Sequence, residues 1–188
     1  MSTTAAPLVR SFAPLFRADA RVLVLGSMPG TASLAAAQYY AHPRNAFWPI
    51  MGALFGAGAE LPYAQRLERL AAAGVALWDV IGRCERAGSL DSAIAPASIE
   101  ANDFAGLFAA CPGIDHVFFN GTAAETAFRR HVRGRIALPP LQFARLPSTS
   151  PAHAARGLGA KLAAWQAVKA AAQRAAAARI DTPAAQAA

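Results

Sequence analysis

Four apolar stretches punctuate the chain at wide intervals, and segments of helical periodicity fall between them. Val22, Leu23, Val24 and Leu25 run without a polar break into Gly26, which reads as a buried strand over 21–25. VALWDV (75–80), HVFFN (116–120) and LQFARL (141–146) supply three more strands. Phe47, Met51, Leu54 and Phe55 recur at helical spacing in a segment beginning at Asn45, with Pro49 in the first turn, where a missing N–H costs little. A second helix is expected over 62–73, closed by Gly74, and a third from an Asn102 cap to Cys111 and Pro112. Thr122 and Glu125 have capping-box spacing at the start of a fourth, and the Ala-rich stretch 156–178 favours a long fifth. Residues 1–19 read as a mostly irregular lead-in, 82–98 as a loop carrying SLDS, and the tail after Asp181 as disordered.

Strands alternating with helices predict the α/β class, a parallel sheet covered on both faces. At 188 residues and 55% hydrophobic content the chain suits one domain, 1–188, with a core over about 10–168. Ligands of such sheets gather beyond the carboxyl ends of the strands. GSMPG (26–30), QYYAHPRN (38–45) and RLPSTSPAHA (145–154) all fall there.

Composition excludes several classes. No apolar run approaches the roughly 18 residues of a membrane span, and the first twenty residues lack a secretory pattern, so a soluble, cytoplasmic protein is expected. A monomer is expected. Cys84 and Cys111 are the only cysteines and stand alone in their segments, which rules out a four-cysteine cluster within one chain. No metal and no cofactor are expected.

The formal charge of +7 is unevenly distributed. Residues 1–120 hold 8 Arg against 9 Asp and Glu, whereas 121–188 hold 8 Arg and 2 Lys against Glu125 and Asp181. A basic last third would attract a polyanion, and the planar fork of Arg suits phosphate. A compositional bias toward Ala and Arg accounts for the same numbers.

The polar segments leave alternatives open when read by themselves. Gly26, Ser27, Met28, Pro29 and Gly30 lack both the dinucleotide and the phosphate-loop spacings, so a tight turn and a ligand cradle fit equally well. QYYAHPRN concentrates stacking surface, phosphate contacts and an amide: Tyr40, His42, Arg44 and Asn45 are the candidates. Asn45 could equally cap the next helix, and the tyrosines could seal the core. Ser148, Thr149 and Ser150, followed by Pro151 and His153, suit either phosphate binding or helix capping.

GSMPGTASLAAAQYYAHPRNAFWPIMG, LWDVIGRCERAGSLDSAI, FFNGTAAETAF and LPSTSPAHA together resemble the DNA-deoxyinosine (hypoxanthine) glycosylase family of the uracil-DNA glycosylase superfamily, in order and with short gaps. The resemblance implies a three-layer α/β/α sandwich around a four-stranded parallel sheet. It implies removal of a deaminated base from double-stranded or single-stranded DNA, with hypoxanthine preferred over uracil and xanthine. Ser27 and Met28 stand where the superfamily's first motif usually has a carboxylate or amide, and Leu146 stands where a second motif commonly begins with His or Asn. The family's important amide, the Asn after the His-Pro pair, is Asn45 here.

Such a reaction requires the nucleotide to be flipped from the duplex. Tyr40 would stack on the base and Asp79 would read it, accepting the hypoxanthine N1–H; Asp79 could instead organise the loop. The backbone of 27–30 would stabilise the departing base while Asn45 holds water against C1′. His42, Arg44, Ser148, Thr149, Ser150 and His153 would contact DNA. Lys161 and Lys169, the only lysines, lie in the terminal helix, which favours a monofunctional enzyme without strand cleavage. The rivals are a uracil or mismatch glycosylase, a damaged-DNA-binding module without catalysis, and a flavodoxin-like small-molecule binder.

Overall fold

The computed structural model describes residues 6–153 and 155–180, the last six without their side chains. Four strands, β2 (Val22–Gly26), β3 (Val75–Asp79), β6 (His116–Asn120) and β7 (Gln142–Leu146), form a sheet in the order β3-β2-β6-β7 with every pairing parallel. The apolar strand runs are continuous because both faces are covered. Leu23 and Leu25 belong to one core cluster and Val22 and Val24 to the other, as the period of two requires.

On the first face lie α4 (Phe104–Ala110) and α5 (Thr122–His131), which contribute Phe104, Leu107 and Phe128. On the second lie α2 (Phe47–Phe55), α3 (Tyr63–Ala72) and α6 (Leu158–Ile180), whose Phe47, Leu70 and Trp165 meet there. The predicted three-layer α/β/α sandwich is therefore the observed one. Trp165 is fully buried, and its indole N–H donates to the Pro147 carbonyl (3.0 Å), fixing the start of α6 beneath the loop that leaves β7.

Several local expectations are corrected. The lead-in holds β1 (Leu8–Arg10), and the stretch read as a loop holds β4 (Ile81–Glu85) and β5 (Glu100–Ala101); these build a second, antiparallel sheet in the order β1-β4-β5. A short α1 (Thr31–Ala36) follows the glycine turn, ending at Ala37 with φ 50°. Asp103, not Asn102, caps α4 by accepting from the Gly106 N–H (2.9 Å). Asn102 instead donates to the Asp79 carbonyl (2.8 Å) and to Ser11 Oγ (3.1 Å).

The capping box at Thr122 does not form. Gly121 precedes α5 with φ 93°, and Glu125 turns to Arg145 (3.1 Å). A Cβ at Gly121 would also stand 2.8 Å from Ser148 Cβ, so the 147–150 loop needs this glycine. The tail after Asp181 lies outside the described residues.

Candidate active site

The carboxyl ends of β2, β3, β6 and β7 bring Gly26, Asp79, Asn120 and Leu146 to one edge of the sheet. Gly26 and Asp79 are register partners there. Gly26 is present for space: a Cβ would collide with Asp79 Oδ1 and reach Tyr40 Oη at 3.1 Å. Tyr40 sits in the left-handed region at φ 55°, uncommon for a bulky residue, and its ring stacks on Phe47 with centroids 3.9 Å apart. Tyr40 Oη and Asp79 Oδ2 are both buried without a hydrogen-bond partner among the described residues. Such orphaned groups are uncommon in native interiors and need an explanation.

Burial dominates the electrostatics of this pair. It pushes the Asp79 carboxyl up to about 8, with Asp91 reinforcing the rise and Arg86 opposing it. Asp79 is thus largely a neutral acid at pH 7, able to donate as well as accept. The Tyr40 hydroxyl is raised as well, chiefly by burial and then by Asp79, with Asn120 opposing. Tyr39 is a core residue: its hydroxyl donates to the Ala13 carbonyl (3.1 Å), and its carbonyl accepts from the Trp48 indole (2.9 Å).

The GSMPG turn is held in place by the segment after β4. Ser27 Oγ donates to Asp91 Oδ1 (2.7 Å), Ser89 Oγ accepts from the Thr31 N–H (2.9 Å), and Arg86 donates to the Pro29 carbonyl. Met28 is buried and its side chain packs into the first core cluster, so only its backbone can face a ligand. Pro29 is buried, whereas Ser27 and Gly30 are half-buried.

The 42–46 and 147–150 loops form the opposite wall and are joined through the Ala46 N–H to the Thr149 carbonyl (3.0 Å). Asn45 Oδ1 accepts from the Phe47 N–H (3.0 Å), and its own N–H donates to the His42 carbonyl (2.8 Å). Asn45 thus secures the entry to α2, although Ala46 is the formal cap. His42 Nδ1 accepts from the Arg44 N–H (3.1 Å), while the Arg44 side chain is exposed. Thr149 is only 1% exposed and its hydroxyl accepts from Asn120 Nδ2 (2.9 Å), so this side chain organises the loop and does not face outward. Ser148 and Ser150 are half-buried and His153 is exposed.

Asn120, Arg86, Ser89 and Asp91 join the site without having been singled out in the sequence. Asn120 carried a signal, a polar residue closing an apolar strand. The basic excess divides. Arg129 and Arg130 occupy the last turn of α5, which runs back toward the amino ends of the strands, and Arg174 Nη2 approaches His116 at the start of β6 (3.5 Å). A groove of about 230 Å³ lined by His116, Phe118, Gln142 and Arg174 also lies at that amino end, away from Asp79. Among the described residues no group of three or more His, Cys, Asp or Glu could hold a metal ion, and no helix is long and apolar enough to cross a membrane.

Residues 13–170 match the family model described as the uracil DNA glycosylase superfamily. The chain is 36% identical over 113 residues to the hypoxanthine DNA glycosylase of Methanosarcina barkeri (strain Fusaro / DSM 804), covering 60% of this chain and 70% of that protein. It is 35% identical over 116 residues to the hypoxanthine DNA glycosylase of Methanosarcina acetivorans, covering 61% and 72%. A Methanosarcina acetivorans protein whose solution NMR structure carries the name of a uracil DNA glycosylase superposes with a TM-score of 0.72 at 30% identity, over 89% of this chain and 99% of that one. The chain belongs to the uracil DNA glycosylase superfamily and is a DNA glycosylase, a hydrolase of N-glycosyl bonds.

Proposed function

We propose that this enzyme releases hypoxanthine from deoxyinosine in DNA, as a monomer and without cutting the strand. The observation that carries the reading is the pair of buried, unpartnered polar atoms, Asp79 Oδ2 and Tyr40 Oη, on side chains that pack where Gly26 lacks one. Leaving such groups unsatisfied costs about 1–3 kcal/mol each, which a base with complementary donors and acceptors would recover. Hypoxanthine offers N1–H and O6 side by side. A neutral Asp79 accepts the first through its carbonyl oxygen and donates its own proton to the second. Uracil carries the same lactam edge, so it is a weaker substrate of the same carboxyl. The names of the two Methanosarcina relatives support hypoxanthine as the preferred base.

In this reading the base stacks on the face of Tyr40 away from Phe47. The C1′–N9 bond breaks with its electron pair leaving on the purine, water bonds to C1′, and one proton of that water passes through solvent to the purine anion, giving neutral hypoxanthine and an abasic sugar. Asn45 Oδ1 keeps a second lone pair beyond the Phe47 N–H with which to hold the water. His42, Arg44, Ser148, Ser150 and His153 take the phosphates around the flipped nucleotide. Strand cleavage through an amine is disfavoured because both lysines, Lys161 and Lys169, lie in α6, outside the segments that form the candidate site.

A duplex oligonucleotide with one deoxyinosine tests the reading. Incubation renders that position labile to alkali, no covalent adduct is trapped by borohydride, and Asn45→Ala abolishes release while DNA binding persists. Unaltered inosine substrate across pH and salt would overturn it.

A further inference from the structure

Arg86 is the most unusual charged residue of the molecule. Its guanidinium is 0% exposed, Nη2 donates to the Pro29 carbonyl, and Nε and Nη1 have no partner among the described residues. A buried cation with an incomplete set of acceptors is costly to hold. Its one bond falls on the turn that walls the base pocket.

The geometry of a peptide unit gives that bond a consequence. The Pro29–Gly30 linkage is trans, as are all peptide bonds described, so its C=O and N–H point in opposite directions. Pinning the Pro29 oxygen therefore aims the Gly30 N–H away from Arg86. A charged donor on the carbonyl also polarises the peptide and makes its N–H a stronger donor. Gly30 is half-buried, and a Cβ there would meet no side chain nearer than Ser89, at 3.4 Å.

We propose that Arg86 is a positioning residue for base release: it fixes and polarises the Pro29–Gly30 peptide, whose N–H then stabilises the electron pair arriving on the departing base. The inference rests on the reading of this site as a base-release pocket and adds the source of its positive field. Ser27 and Met28 supply no charged or amide side chain to the pocket, and a buried cation behind the backbone takes over part of that duty. The charged and titratable groups that share Arg86's surroundings are Asp79 at the end of β3, Cys84 on β4 and Asp91 beyond it.

Single-turnover release from inosine DNA, with wild type as the control for the reading itself, provides the test. Arg86→Met is expected to slow release about 100-fold, the usual effect of losing one preorganised donor to a developing anion. Affinity for DNA carrying an abasic site should stay within about threefold, since Arg86 touches no phosphate. Gly30→Pro, which removes the N–H and puts a ring in its place at a φ of −72° that proline adopts, should slow release at least as much. Because both changes strike one peptide, the double variant should be no slower than the slower single variant. Should Arg86→Met fail to fold, Arg86→Lys carries the test: it keeps the charge, loses less rate, and adding Gly30→Pro to it leaves release no slower than Gly30→Pro alone does. Wild-type rates in a folded Arg86 variant, or additive losses in the double variant, overturn the role of Arg86. Absence of release by wild type overturns the reading beneath it.

Discussion

Asn120 and Thr149 hold each other by two hydrogen bonds: Asn120 Nδ2 donates to Thr149 Oγ1 (2.9 Å), and the Thr149 N–H donates to Asn120 Oδ1 (2.8 Å). This clasp ties the end of β6 to the 147–150 loop, which is joined in turn to the Asn45 segment through Ala46. Thr149→Val removes one bond and leaves the Asn120 amide short of an acceptor, so it should cost about 1 kcal/mol. Asn120→Ala removes both bonds and orphans a buried N–H, for about 2–3 kcal/mol. Urea unfolding orders the two variants, and a reversed order would show that the clasp is not what holds the loop.

Asp79 should make the fold less stable as pH rises. Unfolded, its carboxyl ionises near its ordinary value of 3.8; folded, it keeps its proton up to about 8. Between those values the folded state binds more protons, so stability falls through the window and levels off above it. Asp79→Asn removes this loss while preserving shape. Its advantage over wild type should be small near pH 4 and grow to a few kcal/mol by pH 8. Denaturant melts at pH 4.5, 6.5 and 8 read the difference directly; a gap that shrinks with pH contradicts the assignment.

Gly26 lies in ordinary strand geometry, so its missing side chain matters for room and not for backbone freedom. Gly26→Ala should therefore fold but place a methyl against the Asp79 carboxyl and the Tyr40 hydroxyl. Release of hypoxanthine should fall at least about tenfold, mainly through kcat, because a displacement of this size spoils alignment at the reacting centre. Equal rates for Gly26→Ala and wild type would place the base elsewhere.

The sheet was legible because β2, β3 and β6 are apolar runs buried in the core, and the edge strand β7, though largely exposed, carries Phe143 and Leu146 just before a Pro-rich turn. The second sheet was not, because β1 and β5 have only three and two residues and no pattern of their own. Asp79 could be singled out as a polar group at the end of an apolar strand, and Asn45 by the crowding of polar and aromatic residues in QYYAHPRN and its place after the His-Pro pair. Arg86 could not: within ERAGS it looks like a solvated charge, and only closure of the chain over the GSMPG turn buries it. Thr149 misled for the converse reason. A hydroxyl in a polar loop suggests phosphate, yet Asn120, 29 residues away, claims it.

The division of the basic residues carries its own expectation. Arg129, Arg130, Arg133 and Arg135 are exposed, but α5 carries them away from the edge that holds Asp79. Arg44, by contrast, is exposed beside Asn45. Each phosphate contact contributes about 0.9 to the slope of log affinity against log salt concentration on duplex DNA. Arg44→Gln should lower that slope by about one such unit, and changing all four distal arginines to Gln should alter it by less. Filter binding of inosine duplexes across 50–300 mM salt, roughly, gives the slopes; the opposite ranking would assign the duplex to the distal face.

Asn45 has two roles that a single alanine substitution cannot separate. Its Oδ1 secures the Phe47 N–H at the start of α2, and in the proposed reaction the same oxygen holds water at C1′. Loss of the first role alone costs about 1 kcal/mol, and Ser, itself a good acceptor at helix entries, should restore it. Ser is also shorter, so it leaves the water unheld. Asn45→Ala should thus lose both stability and release, whereas Asn45→Ser should melt within about 0.5 kcal/mol of wild type and still release hypoxanthine at least about 100-fold more slowly. Asn45→Asp preserves the acceptor oxygen and its reach, so it should retain more activity than Ser at equal stability. If Asn45→Ser recovered the rate together with the melting point, the residue would be a helix-entry anchor alone, and the water would have to be held by another group at this edge.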